Sequence, residues 1–150
     1  MKKSIHFLPV KILCDFLIPF VFAFAFYLQI HGEISPGGGF QSGIVLLIGF
    51  VIRDLVLLII NEEGHVEFFI SDKWAKFTAV LGVIVYGMVG FFSIVVGKNA
   101  FDYSYFILND SVLSNKIGLF LIELGVALSV FGAMSLIYKS FRNFVLHERK

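Results

Sequence analysis

Four long apolar stretches dominate the chain, from about Ile12 to Ile30, Phe40 to Ile60, Ala75 to Val96 and Ile117 to Ser140. Each is close to the ~20 residues that a helix needs to cross the hydrocarbon of a bilayer. Helices are the expected spanning form, because backbone groups in lipid must be paired within the segment. A barrel would use shorter, alternating strands, and these stretches are continuous. The sequence therefore predicts an all-α, polytopic membrane protein of four transmembrane helices, built as a single membrane domain over residues 1–150. Composition agrees. Charged residues make up 15% of the chain and hydrophobic ones 58%, whereas a soluble domain carries about 25% charged residues. The lipid bilayer is the expected solvent. A net charge of +1 argues against a nucleic-acid binder that relies on phosphate neutralisation.

The start Met1-Lys2-Lys3 and the triplet Ala23-Phe24-Ala25 imitate a signal peptide. Asp15 interrupts the would-be apolar core, however, and the stretch continues through Phe26, Tyr27 and Leu28, so it reads as a retained first span. The one cysteine, Cys14, excludes an intrachain disulfide and a cysteine metal cluster. It reads as a small apolar residue. His6, His65 and His147 lie in polar segments without metal-ligand spacing. No nucleophile–base pair or nucleotide fingerprint is visible, so the sequence assigns no catalytic residue, no cofactor and no metal.

Lys and Arg set the expected orientation. They occur at the N-terminus (Lys2, Lys3, Lys11), between spans two and three (Lys73, Lys76) and in the C-terminal segment (Lys139, Arg142, Arg149, Lys150). The first loop, His31 to Gly38, has none, and the third has Lys98 and Lys116 at its ends. Basic residues favour the cytoplasm, so both termini are expected there. Trp74, Tyr103, Tyr105 and Tyr138 fall near span ends, where amphipathic rings favour the interface.

Small residues mark one face of the third span (Ala79, Gly82, Gly90, Ser93, Gly97) and one of the fourth (Gly118, Gly125, Ser129, Ala133). Such faces let helices approach closely in lipid. Glu123 lies about two turns into the fourth span, where an ionisable group is costly and is a functional candidate by default. At 100° per residue it points roughly opposite the small face, alongside Lys116, Ala127, Val130 and Met134. If the small face packs within the chain, Glu123 is expected to point outward, to another subunit or a hydrated path. A structural glutamate, protonated or bonded to a neighbouring helix, is the alternative.

Three further charges lie in spans. Asp15 is one turn past Lys11 and is expected to pair with it. Arg53 and Asp54 are adjacent, so they do not face each other on a helix. They read as interfacial charges at the end of a short span, with Arg53 snorkelling and Asp54 needing its own partner. Pro36 and the glycines 37–39 of the first loop read as a tight turn. The exposed backbone donors of the second helix start just after them and suit an anionic group or a water.

The loop His31-Gly32-Glu33-Ile34-Ser35-Pro36-Gly37-Gly38-Gly39-Phe40-Gln41-Ser42-Gly43 resembles the hallmark loop H-G-H-x-S-P-G-G-G-F-Q-G-G of the B subunit of multisubunit Mrp-type sodium/proton antiporters. Ile122-Glu123-Leu124-Gly125-Val126 is similar to that family's I-E-L-G-V before a closing apolar run. Glu33 stands where a histidine is common and Ser42 where glycine is usual. The resemblance implies a small membrane subunit that works only within its complex, with other antiporter subunits as partners and Na+ and H+ as transported ions. It implies a bacterial cell membrane as the location and Glu123 as an acid on or beside the cation route. A subunit of a related hydrogenase-type redox complex, or a purely structural subunit, are the competing readings.

Overall fold

The structure is a computed structural model and describes residues 7–32, 38–60, 68–104, 106 and 110–148. Four helices follow one another: α1 (Leu8–Ile30), α2 (Gly38–Ile60), α3 (Asp72–Val95) and α4 (Ser111–Glu148). All four are long and apolar enough to cross a membrane, and the described residues contain no strand. The chain is an integral membrane protein.

Polar side chains cap the starts of α3 and α4, which begin before the apolar stretches. Pro9 starts α1, where its missing N–H removes no helical bond. The Ser71 hydroxyl accepts from the Trp74 N–H at 3.4 Å and starts α3. Asp110 Oδ1 accepts from the N–H groups of Val112 and Leu113, both at 3.0 Å, and starts α4. Such caps are worth roughly 0.5–2 kcal/mol each. Helix α4 is 38 residues long, about 57 Å at the helical rise. Lys116, Lys139 and Arg142 therefore sit inside it, not in a loop or a tail.

Packing centres on α4. It lies against α3 along most of its length and against α2 on another side, while α1 packs mainly on α2 and meets α4 only slightly. The α3–α4 contact is antiparallel and close. A Cβ on Gly82 would collide with the backbone of Gly125 and Ser129, and one on Gly132 with Ala75 and Ala79. The small faces thus pack on each other within this chain, as lipid-embedded helices do when packing replaces the hydrophobic drive. One position differs from expectation: Ala133 is exposed and Gly132 takes the contact. The series 125, 129, 132 keeps to the helical period, and 133 drifts off the face. Gly97, at φ +78° with nothing near it, ends α3 and takes no part in packing. Gly90 and Gly118 instead receive the rings of Phe101 and Tyr103, which fold back from the α3–α4 connection.

The α2–α4 pair runs parallel in constant register. Gly39 lies against Glu123, Gly43 against Ala127, and Asp54 against Tyr138, partners 84 residues apart in the chain. Between the two polar ends the seam is apolar: Leu47 is buried among Phe50, Val51, Phe131 and Met134.

Candidate functional site

Glu123 decides where the site lies. Its carboxyl group rests against Gly32 at the end of α1 and Gly38 at the start of α2, and its backbone carbonyl rests against Gly39. A Cβ on Gly38 would come within 2.8 Å of Oε1, and a Cβ on Gly32 or Gly39 would collide outright. The glycines are therefore a cradle for this side chain. The expectation that Glu123 points away from the chain is corrected. It lies opposite the α3-facing surface of α4, as the helical angle requires, but α2 occupies that side.

The electrostatics of the seat follow from the helix ends. Helix α2 begins at Gly38 and has no acidic residue in its first turn. The first N–H groups of a helix lack internal partners and carry positive partial charge. The Glu123 carboxyl comes to that terminus, an arrangement worth about 0.3–1 kcal/mol, or up to ~2 when partly buried. His31 ends α1: its backbone N–H donates to the Tyr27 carbonyl at 3.0 Å, and its ring stacks on Tyr27 at 4.2 Å. Glu33, Ser35, Pro36 and Gly37 lie outside the described residues. Phe40 and Gln41 are exposed, and Gly43 lets α2 approach Ala127.

Gly32, Gly38 and Gly39, 84 to 91 residues before Glu123 in the chain, thus meet it in one place. The family model for a domain related to the MnhB subunit of Na+/H+ antiporter matches residues 9–136 and so spans the glycines and the acid. The chain belongs to that family. Comparison with curated proteins and comparison with solved structures each found no match. The MnhB-related family is one of antiporter components, and this chain is an integral-membrane member of it.

In this MnhB-related chain the other span charges separate into different roles. Asp54 is buried and accepts from the Tyr138 hydroxyl at 2.7 Å and from Arg142 Nε at 2.8 Å. Phe68 packs on the Tyr138 ring at 5.1 Å and helps close the site. Tyr138 and Arg142 both lie beyond the matched residues. Arg53 points elsewhere, exposed, with its guanidinium 5.4 Å from the Phe69 ring. The expected pair of interfacial charges at the end of a short span is therefore corrected. Helix α2 has 23 residues, and its two adjacent charges diverge, one inward and one outward. Asp15 is exposed, and among the described residues it makes no ion pair with Lys11. A basic residue preceding an acid by four is the weaker helical order.

Next to the site, Gln29 carried no signal in the sequence, and Ser42 stood out only as a departure from the similar family loop. Ser42 Oγ lies 2.6 Å from Gln29 Oε1 and 2.9 Å from the Gly39 carbonyl, joining α1 to the first turns of α2. Both side chains are buried, Gln29 at 9% exposure and Ser42 at 4%. A glutamine near the end of an apolar stretch reads as interfacial, and only the α1–α2 contact reveals its burial.

Proposed function

We propose that this chain serves a multisubunit sodium/proton antiporter as a small transport subunit and not as an enzyme. In this reading Glu123 carries the exchanged ion at one step of its route. The observation behind it is the seat of Glu123: an intramembrane carboxyl held among the glycines of α1 and α2. An acid inside a bilayer is rare and marks ion or proton pathways. The α2 terminus presents positive partial charge to the carboxyl, and a proton or a sodium ion can bind the carboxyl in turn. Four helices without an inverted repeat do not enclose a complete transporter site, so the chain acts only with other subunits. The bacterial cell membrane, with both termini cytoplasmic, is the setting that the Lys/Arg distribution supports. The family match favours neither a hydrogenase-type redox complex nor a subunit that only docks its neighbours.

The test is exchange by the complex in reconstituted vesicles with a pH-sensitive dye. Glu123→Gln keeps the volume and removes the charge. It is expected to abolish sodium-driven proton movement while a native gel shows normal assembly. Wild-type exchange by an assembled Glu123→Gln complex overturns the assignment.

A further inference from the structure

We propose that the outer face of α1 around Asp15 docks a transmembrane helix of a neighbouring subunit, which presents an arginine or lysine side chain to the Asp15 carboxylate. The proposal rests on the reading that the chain works inside a complex. It adds a docking surface and the chemistry of the partner.

Depth comes first. Helix α1 has 23 residues, about 35 Å at the helical rise, against ~30 Å of hydrocarbon. Asp15 follows the first residue of α1, Leu8, by about two turns or ~10 Å, so its backbone lies within the hydrocarbon. An acid at that depth almost always pairs or faces the interior of a bundle. Asp15 is exposed instead. Among the described residues it has no ion-pair partner. The Arg53 guanidinium of α2 lies over the Phe69 ring.

The backbone adds a second demand at the same place. Pro19 lies inside α1 and has no N–H. The helical bond to the carbonyl four residues earlier, that of Asp15, is therefore missing. In lipid a carbonyl freed by proline is satisfied by a neighbouring helix, a hydroxyl side chain or an ordered water. Helix α1 contains no serine or threonine, and Pro19 is itself exposed. Asp15 thus brings two acceptors, its carboxylate and its own carbonyl, to one uncovered side of the helix.

The surroundings fit an inserted side chain. Helix α1 packs mainly on α2. Beside Asp15, Leu8, Pro9, Ile12, Leu13 and Phe16 line a shallow apolar recess. An apolar surface alone suits lipid as well as protein. The acid decides between them, because acyl chains offer neither a donor nor a charge. An arginine or lysine from a neighbouring helix offers several N–H groups, cancels the charge, and lays its alkyl stem along the recess.

The experiment places a photoreactive phenylalanine derivative at position 12 of the chain in its complex, in cell membranes, and locates the cross-link by mass spectrometry. The cross-link is expected on a helix of a different subunit, within about one turn of a lysine or arginine. Asp15→Asn keeps the volume and removes the charge. It is expected to lower the amount of chain retained by the complex in detergent roughly tenfold, because the partner's cation is left uncompensated. The level of the chain in the membrane is expected to stay unchanged. Asp15→Lys, combined with glutamate in place of the cross-linked base, is expected to restore retention, which a folding defect would not allow. A cross-link to lipid alone or to a second copy of this chain overturns the docking, and so does wild-type retention of Asp15→Asn. Rescue of Asp15→Arg by Arg53→Asp also overturns it, since the acid then pairs within the chain. If Asp15→Asn is retained normally and other subunits still copurify, the docking fails and the reading of a complex component stands. If no other subunit copurifies with the wild-type chain, that reading fails and the docking falls with it.

Discussion

Gly38 meets two demands at once. Its φ is +40°, and a Cβ there would lie 2.8 Å from Glu123 Oε1. A left-handed conformation costs an L-residue about 1–2 kcal/mol, and for a β-branched side chain it is a genuine outlier. Gly38→Val is therefore expected to lower the yield of assembled complex and its thermal midpoint in detergent. Gly87 is the control, because a Cβ there meets nothing within 4 Å. Gly87→Ala is expected to be neutral or to stabilise by up to about 1 kcal/mol. Normal yield from Gly38→Val would show that the cradle tolerates bulk. At this scale the sequence reveals Glu123 as an acid in an apolar run and the glycines as a turn. It does not reveal that they meet. A helical angle gives the direction of a side chain, and only packing says which helix lies there.

The α2–α4 pair is held at its other end by a buried ion pair. Arg142 and Asp54 have side chains only 7% and 3% exposed. Removing one partner of a buried pair typically costs ~3–5 kcal/mol, because the remaining charge is left uncompensated. Arg142→Leu is expected to reduce stability by that amount, read as thermal unfolding of the purified complex. Asp54→Asn keeps an acceptor for both donors but leaves the Arg142 charge uncompensated, so it is expected to cost a similar amount. Sodium affinity in what assembles is expected to stay at the wild-type value, since Leu47, Phe131 and Met134 separate the clamp from Glu123. An Arg142→Leu complex as stable as wild type would sink the clamp. The elements themselves were legible from their apolar lengths. Their ends were not, because caps such as Ser71 and Asp110 start α3 and α4 before their apolar parts. The partners of Asp54 were hidden too: Tyr138 and Arg142 read as the end of a span and a tail until α4 is seen to continue through them.

Across the whole molecule, α1–α2 and α3–α4 are two hairpins joined by the α2–α4 seam. They are not level. The first turn of α2 lies beside Glu123, about three turns or ~18 Å from the start of α4. The carboxyl is therefore recessed below the end of the α3–α4 hairpin. Both broad sides carry large exposed apolar side chains, among them Phe16, Phe20 and Phe24 on α1 and Phe91 and Phe92 on α3, which suits lipid or neighbouring subunits. The charge distribution sets the direction. A reporter active only in the cytoplasm is expected to work when fused after Lys150 and to fail when inserted at Asn99. Activity at Asn99 and silence at the C-terminus would reverse the orientation.

The fixed register of α2 and α4 also constrains how such a chain can change in length. Deleting one residue from α2 between Gly43 and Asp54 would turn Asp54 by about 100° and draw it ~1.5 Å toward Gly43. Its carboxylate would then face away from Tyr138 and Arg142. A matching deletion in α4 between Ala127 and Tyr138 would bring the three groups back into line. The two helices behave like the two tracks of a zip, in which a tooth can be lost from one side only if its counterpart is lost from the other.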